Sequence, residues 1–154
     1  FCSSYALPSR SGLVFGPKAG RVVARFGWWV DPIQRSPSYL ASILKGDAIG
    51  RLKSCAHVPF ARFLCRRVLE LTADSVAKYE RKKYYTFVES VNSVEIDDSV
   101  WEIFERRYGL TRHHEEQYAR MLARVTKLPA VVNFAPLAQL LAVDVLESEY
   151  EDLF

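Results

Sequence analysis

Cysteine is scarce in this chain, and glycine and proline are no more than ordinary: 3 Cys, 7 Gly and 7 Pro in 154 residues. Cys2, Cys55 and Cys65 contain no C-x-x-C pair and leave an odd count, which argues against a secreted disulfide framework and fits reduced cytosolic thiols. So little Gly and Pro excludes collagen-like and low-complexity chains. Long apolar runs are missing too. The most apolar window, residues 128–146, is broken by Pro129, Asn133, Pro136, Gln139 and Asp144, and reads as buried helix rather than membrane span. There is no charged stretch followed by an apolar core at the start, as a signal peptide requires. The chain opens on Phe1 without a methionine, so a processed or excised piece is expected. Ser-His-Asp order, G-x-S-x-G, P-loop and G-x-G-x-x-G patterns are absent, which removes the usual hydrolase and nucleotide-cradle readings. His57 stands alone, and the adjacent His113 and His114 point to different sides of a helix, unlike metal-binding histidines at i and i+4.

What is present describes one globular domain. Hydrophobic residues make up 49% and charged residues 25%, and a domain of this length buries roughly 68–70% of its unfolded surface. The net charge is only +3, but the signs are segregated: 15 Lys and Arg face 6 Asp and Glu up to Ser93, and 6 face 12 beyond it. A basic half suggests a polyanion, usually nucleic acid or an anionic membrane, as partner.

Hydrophobic periodicity predicts an amino-terminal β-hairpin followed by five or six helices. Phe1, Ser3, Tyr5 and Leu7 alternate with the small Cys2, Ser4 and Ala6, the period of a strand with one bulky and one small face. Residues 8–12 supply a turn in which Gly12 can take positive φ, and Leu13, Val14 and Phe15 return as a second strand. Pro17 suits a first helical position, with Lys18, Arg21 and Arg25 then on one face. Residues 27–32 break that helix. Ser36 and Pro37 open the next, whose second half Gly46 and Gly50 weaken. Pro59 opens an amphipathic helix with Phe60, Leu64, Val68 and Leu71 on its apolar side and Arg62, Arg66 and Arg67 elsewhere. The run 84–91 reads equally as strand or irregular chain. Ser99 with Glu102 makes a capping-box pattern, Gly109 a stop, Thr111 a further cap, and a last helix spans about 135–145 before an acidic tail.

The order Phe1-Cys2-Ser3, turn, second strand and Gly16-Pro17-Lys18-Ala19-Gly20-Arg21 resembles the motif E region of RNA-dependent RNA polymerases of positive-strand RNA viruses. In that family a hairpin called the primer grip joins the palm to a mostly helical thumb. The resemblance implies an α+β, mostly α fold, with a motif E-like hairpin and basic helix over 1–30 and a thumb-like bundle over 31–154. It implies a nucleotidyltransferase fragment that grips primer and product RNA while the palm, outside this sequence, holds Mg²⁺ or Mn²⁺. Palm, fingers and other replicase proteins are the implied partners, and a replication complex in the host cytoplasm the implied location.

On that reading the RNA-binding residues are Cys2, Ser3, Ser4, Lys18, Arg21, Arg25, Arg62 and Arg66, and none is catalytic. A small strand face lets a sugar-phosphate backbone approach, and cations beside free helix N–H groups suit phosphate. The same residues also read as a packed strand and solvated charged faces. Asp97-Asp98 lacks the Gly-Asp-Asp context of the polymerase metal site and is read as helix capping. Trp28 and Trp29 supply at most one ring for base stacking, the other packing inside. Two other functions stay open: a free-standing helical nucleic-acid-binding domain, and a helical subunit of a protein assembly.

Overall fold

The computed structural model describes residues 4–27, 35–78 and 95–146. The expectations that fall on Phe1, Cys2, Ser3, Trp28, Trp29 and residues 84–91 lie outside them. Strands β1 (Ser4–Ser9) and β2 (Gly12–Pro17) form an antiparallel hairpin, and helices follow: α1 (Ala19–Arg25), α2 (Pro37–Cys55), α3 (Ala61–Leu71), α4 (Asp98–Tyr108), α5 (Arg112–Ala123) and α6 (Leu137–Leu141), the last running into a π-helical turn, Ala142–Leu146. The fold is the expected mostly helical α+β one. No described helix is long and apolar enough to cross a membrane.

The hairpin loop is tighter than the sequence suggests. Pro8 pairs with Leu13 and Ser9 with Gly12, leaving Arg10 and Ser11 at the tip, and Gly12 turns the chain at φ 117°. Pro8 is tolerated because a two-stranded sheet has edges on both sides. Pro17 ends β2 instead of opening α1, which starts at Ala19 with Lys18 as its flanking residue.

Ser36 caps α2 as expected, its hydroxyl accepting the Tyr39 N–H at 3.3 Å, with Pro37 in the first turn. α2 nonetheless runs unbroken through Gly46 and Gly50 to Cys55. Gly46 is buried, so packing offsets a glycine cost of about 1 kcal/mol. At α4 the cap is Asp97, which accepts the Ser99 N–H at 3.0 Å, two residues earlier than the capping-box pattern placed it. Gly109 closes α4 in the left-handed region at φ 66°. Thr111 flanks α5, with its N–H donated to Nδ1 of His114.

One apolar core joins the two regions. Leu7 and Val22 from the hairpin and α1 pack with Val58, Phe60, Phe104, Tyr108, Leu110, Tyr118 and Leu140. Phe104 is its hub, with the rings of Phe60, Trp101, Tyr108 and Tyr5 all about 5–6.5 Å away centroid to centroid, a range in which aromatic pairs attract beyond their buried area.

Candidate nucleic-acid interface

The hairpin has an inner and an outer face, fixed by its register. Directly paired residues share a side of an antiparallel sheet, so Tyr5, Leu7, Val14 and Gly16 form one face and Ser4, Ala6, Pro8, Leu13, Phe15 and Pro17 the other. Leu7 is fully buried and Tyr5 packs on the core, so the bulky face of β1 is the one that anchors the hairpin. The outer face differs from expectation. The side chains of β1 there are small, but Leu13 and Phe15 of β2 cover the same side and stand 72% and 75% exposed. The face is therefore apolar and bulky rather than a smooth groove for a backbone, and close approach is left to its Ser4 end. The signal for Leu13 and Phe15 lay in the cross-strand register, which the sequence reading did not carry through.

The basic helix α1 is partly committed within the fold. The Gly20 N–H, one of the free donors of its first turn, is held at 2.8 Å by Oδ2 of Asp144, and the Arg21 Nε donates to the Asp144 carbonyl at 2.9 Å. Asp144 is fully buried and also accepts from the Tyr108 hydroxyl at 2.9 Å, with Arg107 at 3.4 Å. Burial first, and the Asp144 charge next, push the Tyr108 hydroxyl well above the ordinary tyrosine range, so it stays a protonated donor. A carboxylate of the chain itself thus occupies the position that the sequence offered to a phosphate. Lys18 is half-buried and Arg25 exposed in the last turn.

The two glycines of the Gly-Pro-Lys-x-Gly-Arg stretch are close-approach positions. A Cβ on Gly20 would lie 2.2 Å from the Leu140 carbonyl oxygen, and one on Gly16 would lie 2.7 Å from Val58 and 2.9 Å from Nε2 of His57.

The arginines of α3 are not an open basic face either. Arg62 donates to Glu115 through Nε at 3.0 Å and Nη2 at 2.6 Å, and Glu115 also accepts the Phe60 N–H at 2.8 Å. That last bond holds Phe60 at φ 64°, a left-handed conformation unusual for an aromatic residue. Arg67 donates to Glu70 and to the Ala123 and Val125 carbonyls at the end of α5. Arg66 differs: it lies over the Phe63 ring at 6.0 Å, and its Nη2 is buried without a hydrogen-bond partner. The resemblance's grip residues are therefore of unequal standing, with Ser4, Lys18 and Arg25 available, Arg66 half-buried against Phe63, and Arg21 and Arg62 already engaged.

Asp97 and Asp98 are occupied as cap and as partner of Arg112. Their commitments do not suit a two-metal site. Among the described residues no group of three or more His, Cys, Asp or Glu comes together. Among the described residues, a hairpin riding on a helical bundle through one face is the class that the geometry defines. The chain matches no family model, no curated protein and no solved structure.

Proposed function

We propose that this chain is the carboxy-terminal part of a viral RNA-dependent RNA polymerase, its hairpin and helical bundle gripping primer and product RNA during templated nucleotidyl transfer. The observation that carries the reading is the two-faced hairpin. Its inner face is built into a helical body, while its outer face offers Ala6, Pro8, Leu13 and Phe15 to a further surface. A primer-grip hairpin between a thumb and a palm needs those two faces. Ser4, at the amino-terminal end of the outer face, and Lys18 and Arg25 beyond β2 are the groups left to meet a primer backbone. The resemblance of Phe1-Cys2-Ser3 and of the Gly16 to Arg21 stretch adds the family, and the catalytic aspartates with Mg²⁺ or Mn²⁺ belong to the palm.

The test is in the reading frame upstream. It should encode a Gly-Asp-Asp strand-turn-strand before Phe1, and the extended protein should elongate a primed RNA template while the 154-residue chain alone incorporates nothing. Template-dependent incorporation by the purified chain, or a start codon directly before Phe1, overturns the reading.

A further inference from the structure

The outer face of α5 carries a basic line that the acidic balance of its half of the chain conceals. His113, Gln117, Arg120 and Arg124 recur every three or four residues and are all exposed, and exposed Lys127 follows. Neighbours at that spacing are about 5–6 Å apart at Cβ. The opposite side of the helix, Glu115, Tyr118 and Leu122, is buried, so the line faces outward. Among the described residues, the side chains of Arg120, Arg124 and Lys127 make no ion pair. Arg120 and Arg124 flank a depression of about 300 Å³, with Gln117 and Met121 as its other walls.

Cations near a helix carboxy terminus often serve its dipole and last carbonyls. Here Arg67 of α3 already takes the Ala123 and Val125 carbonyls, at 3.2 Å each. Arg120 and Arg124 are left with their charge facing outward. We infer that the outer face of α5 and the turn that follows it contact the phosphate backbone of a nucleic-acid duplex through Arg120, Arg124 and Lys127. A membrane surface fits less well, since none of the exposed large apolar side chains lies on α5 to insert among lipids. A single strand fits less well too, because the line carries no Phe, Tyr or Trp and its one ring, that of His113, is already held by Gln117 at 3.0 Å. What remains is a row of three cations, preceded on the helix by the hydrogen-bonded pair His113 and Gln117, suited to phosphates and indifferent to sequence.

This inference deepens the RNA-gripping reading and rests on it for the identity of the polyanion. The experiment measures binding of the whole chain to a fluorescently labelled RNA duplex by anisotropy over a series of salt concentrations. Two variants are compared with the parent: the triple Arg120→Gln, Arg124→Gln, Lys127→Gln, and the double Lys18→Gln, Arg25→Gln. The triple variant should lose at least tenfold in affinity at low salt, and its slope of log K against log salt should flatten by roughly 2–3, about one per lost phosphate contact. Its thermal melt should match the parent's, because these side chains are exposed. Parent-like affinity and slope in the triple variant overturn the α5 contact, and a loss confined to the double variant does so while leaving the RNA grip intact. An unmodified chain that does not bind the duplex, or binds vesicles of phosphatidylserine and phosphatidylcholine instead, overturns both.

Discussion

His57 shows how a single side chain can tie the hairpin to pH. Its Nε2 is buried against Gly16 without a hydrogen-bond partner, and burial, only partly opposed by a hydrogen bond to the Phe15 backbone, lowers its pKa below the usual 6.5. The folded state therefore favours the neutral ring. Above pH 6.5 both folded and unfolded chains hold it neutral and its contribution is fully present. As pH falls through the ordinary value towards the lowered one, the unfolded chain takes up the proton first and stability is lost. Thermal melts at pH 8 and pH 5 should separate the parent from His57→Gln, the parent losing more on acidification. Equal losses in the two proteins would remove His57 from the pH response.

At the scale of elements, α1 is held by its fit against the carboxy-terminal turn. Gly20 brings the α1 backbone onto Leu140, and its N–H reaches Asp144. The site has no room for a methyl group, since the nearest obstacle is backbone oxygen rather than a side chain that can swing away. Gly20→Ala should gain a little helix propensity and lose more through overpacking, which typically costs about 1–3 kcal/mol. Urea unfolding gives the sign: a midpoint at or above the parent's means that α1 and the turn part freely. The sequence showed Gly20 and Arg21 inside a basic stretch, where charge suggested a polyanion and the polymerase resemblance implied RNA. Only the approach of residues 140–144 revealed them as packing and hydrogen-bonding groups, because nothing in residues 16–21 reports what lies 120 positions away.

At the scale of the whole molecule, Glu115 is a joint between α5 and the start of α3. It is 1% exposed and satisfies both the Arg62 guanidinium and the Phe60 N–H. Removing it strands a mostly buried cation and a backbone donor in a strained turn. Glu115→Ala should cost about 3–5 kcal/mol, the range for breaking a buried pair from one side, and adding Arg62→Met should recover part of that loss. A loss under about 1 kcal/mol, or strictly additive effects in the double variant, would show that the joint is not coupled.

The sequence by itself determined the order of elements. Period-two alternation marked β1, Gly12 the hairpin, Ser36-Pro37 the start of α2, Gly109 the end of α4 and Thr111 the start of α5, because each depends on residues within a turn or two of one another. It also separated a basic from an acidic half. Tertiary structure decided which charges are free. Arg62 and Arg67 looked like surface cations until α5 supplied Glu115 and its carbonyl end, Arg21 until Asp144 arrived, and the line on α5 emerged as outward-facing only when the buried side of that helix was fixed. Cross-strand register likewise turned a small-residue face into one covered by Leu13 and Phe15. Charge and size are properties of a residue, whereas availability belongs to the partners that distant segments bring.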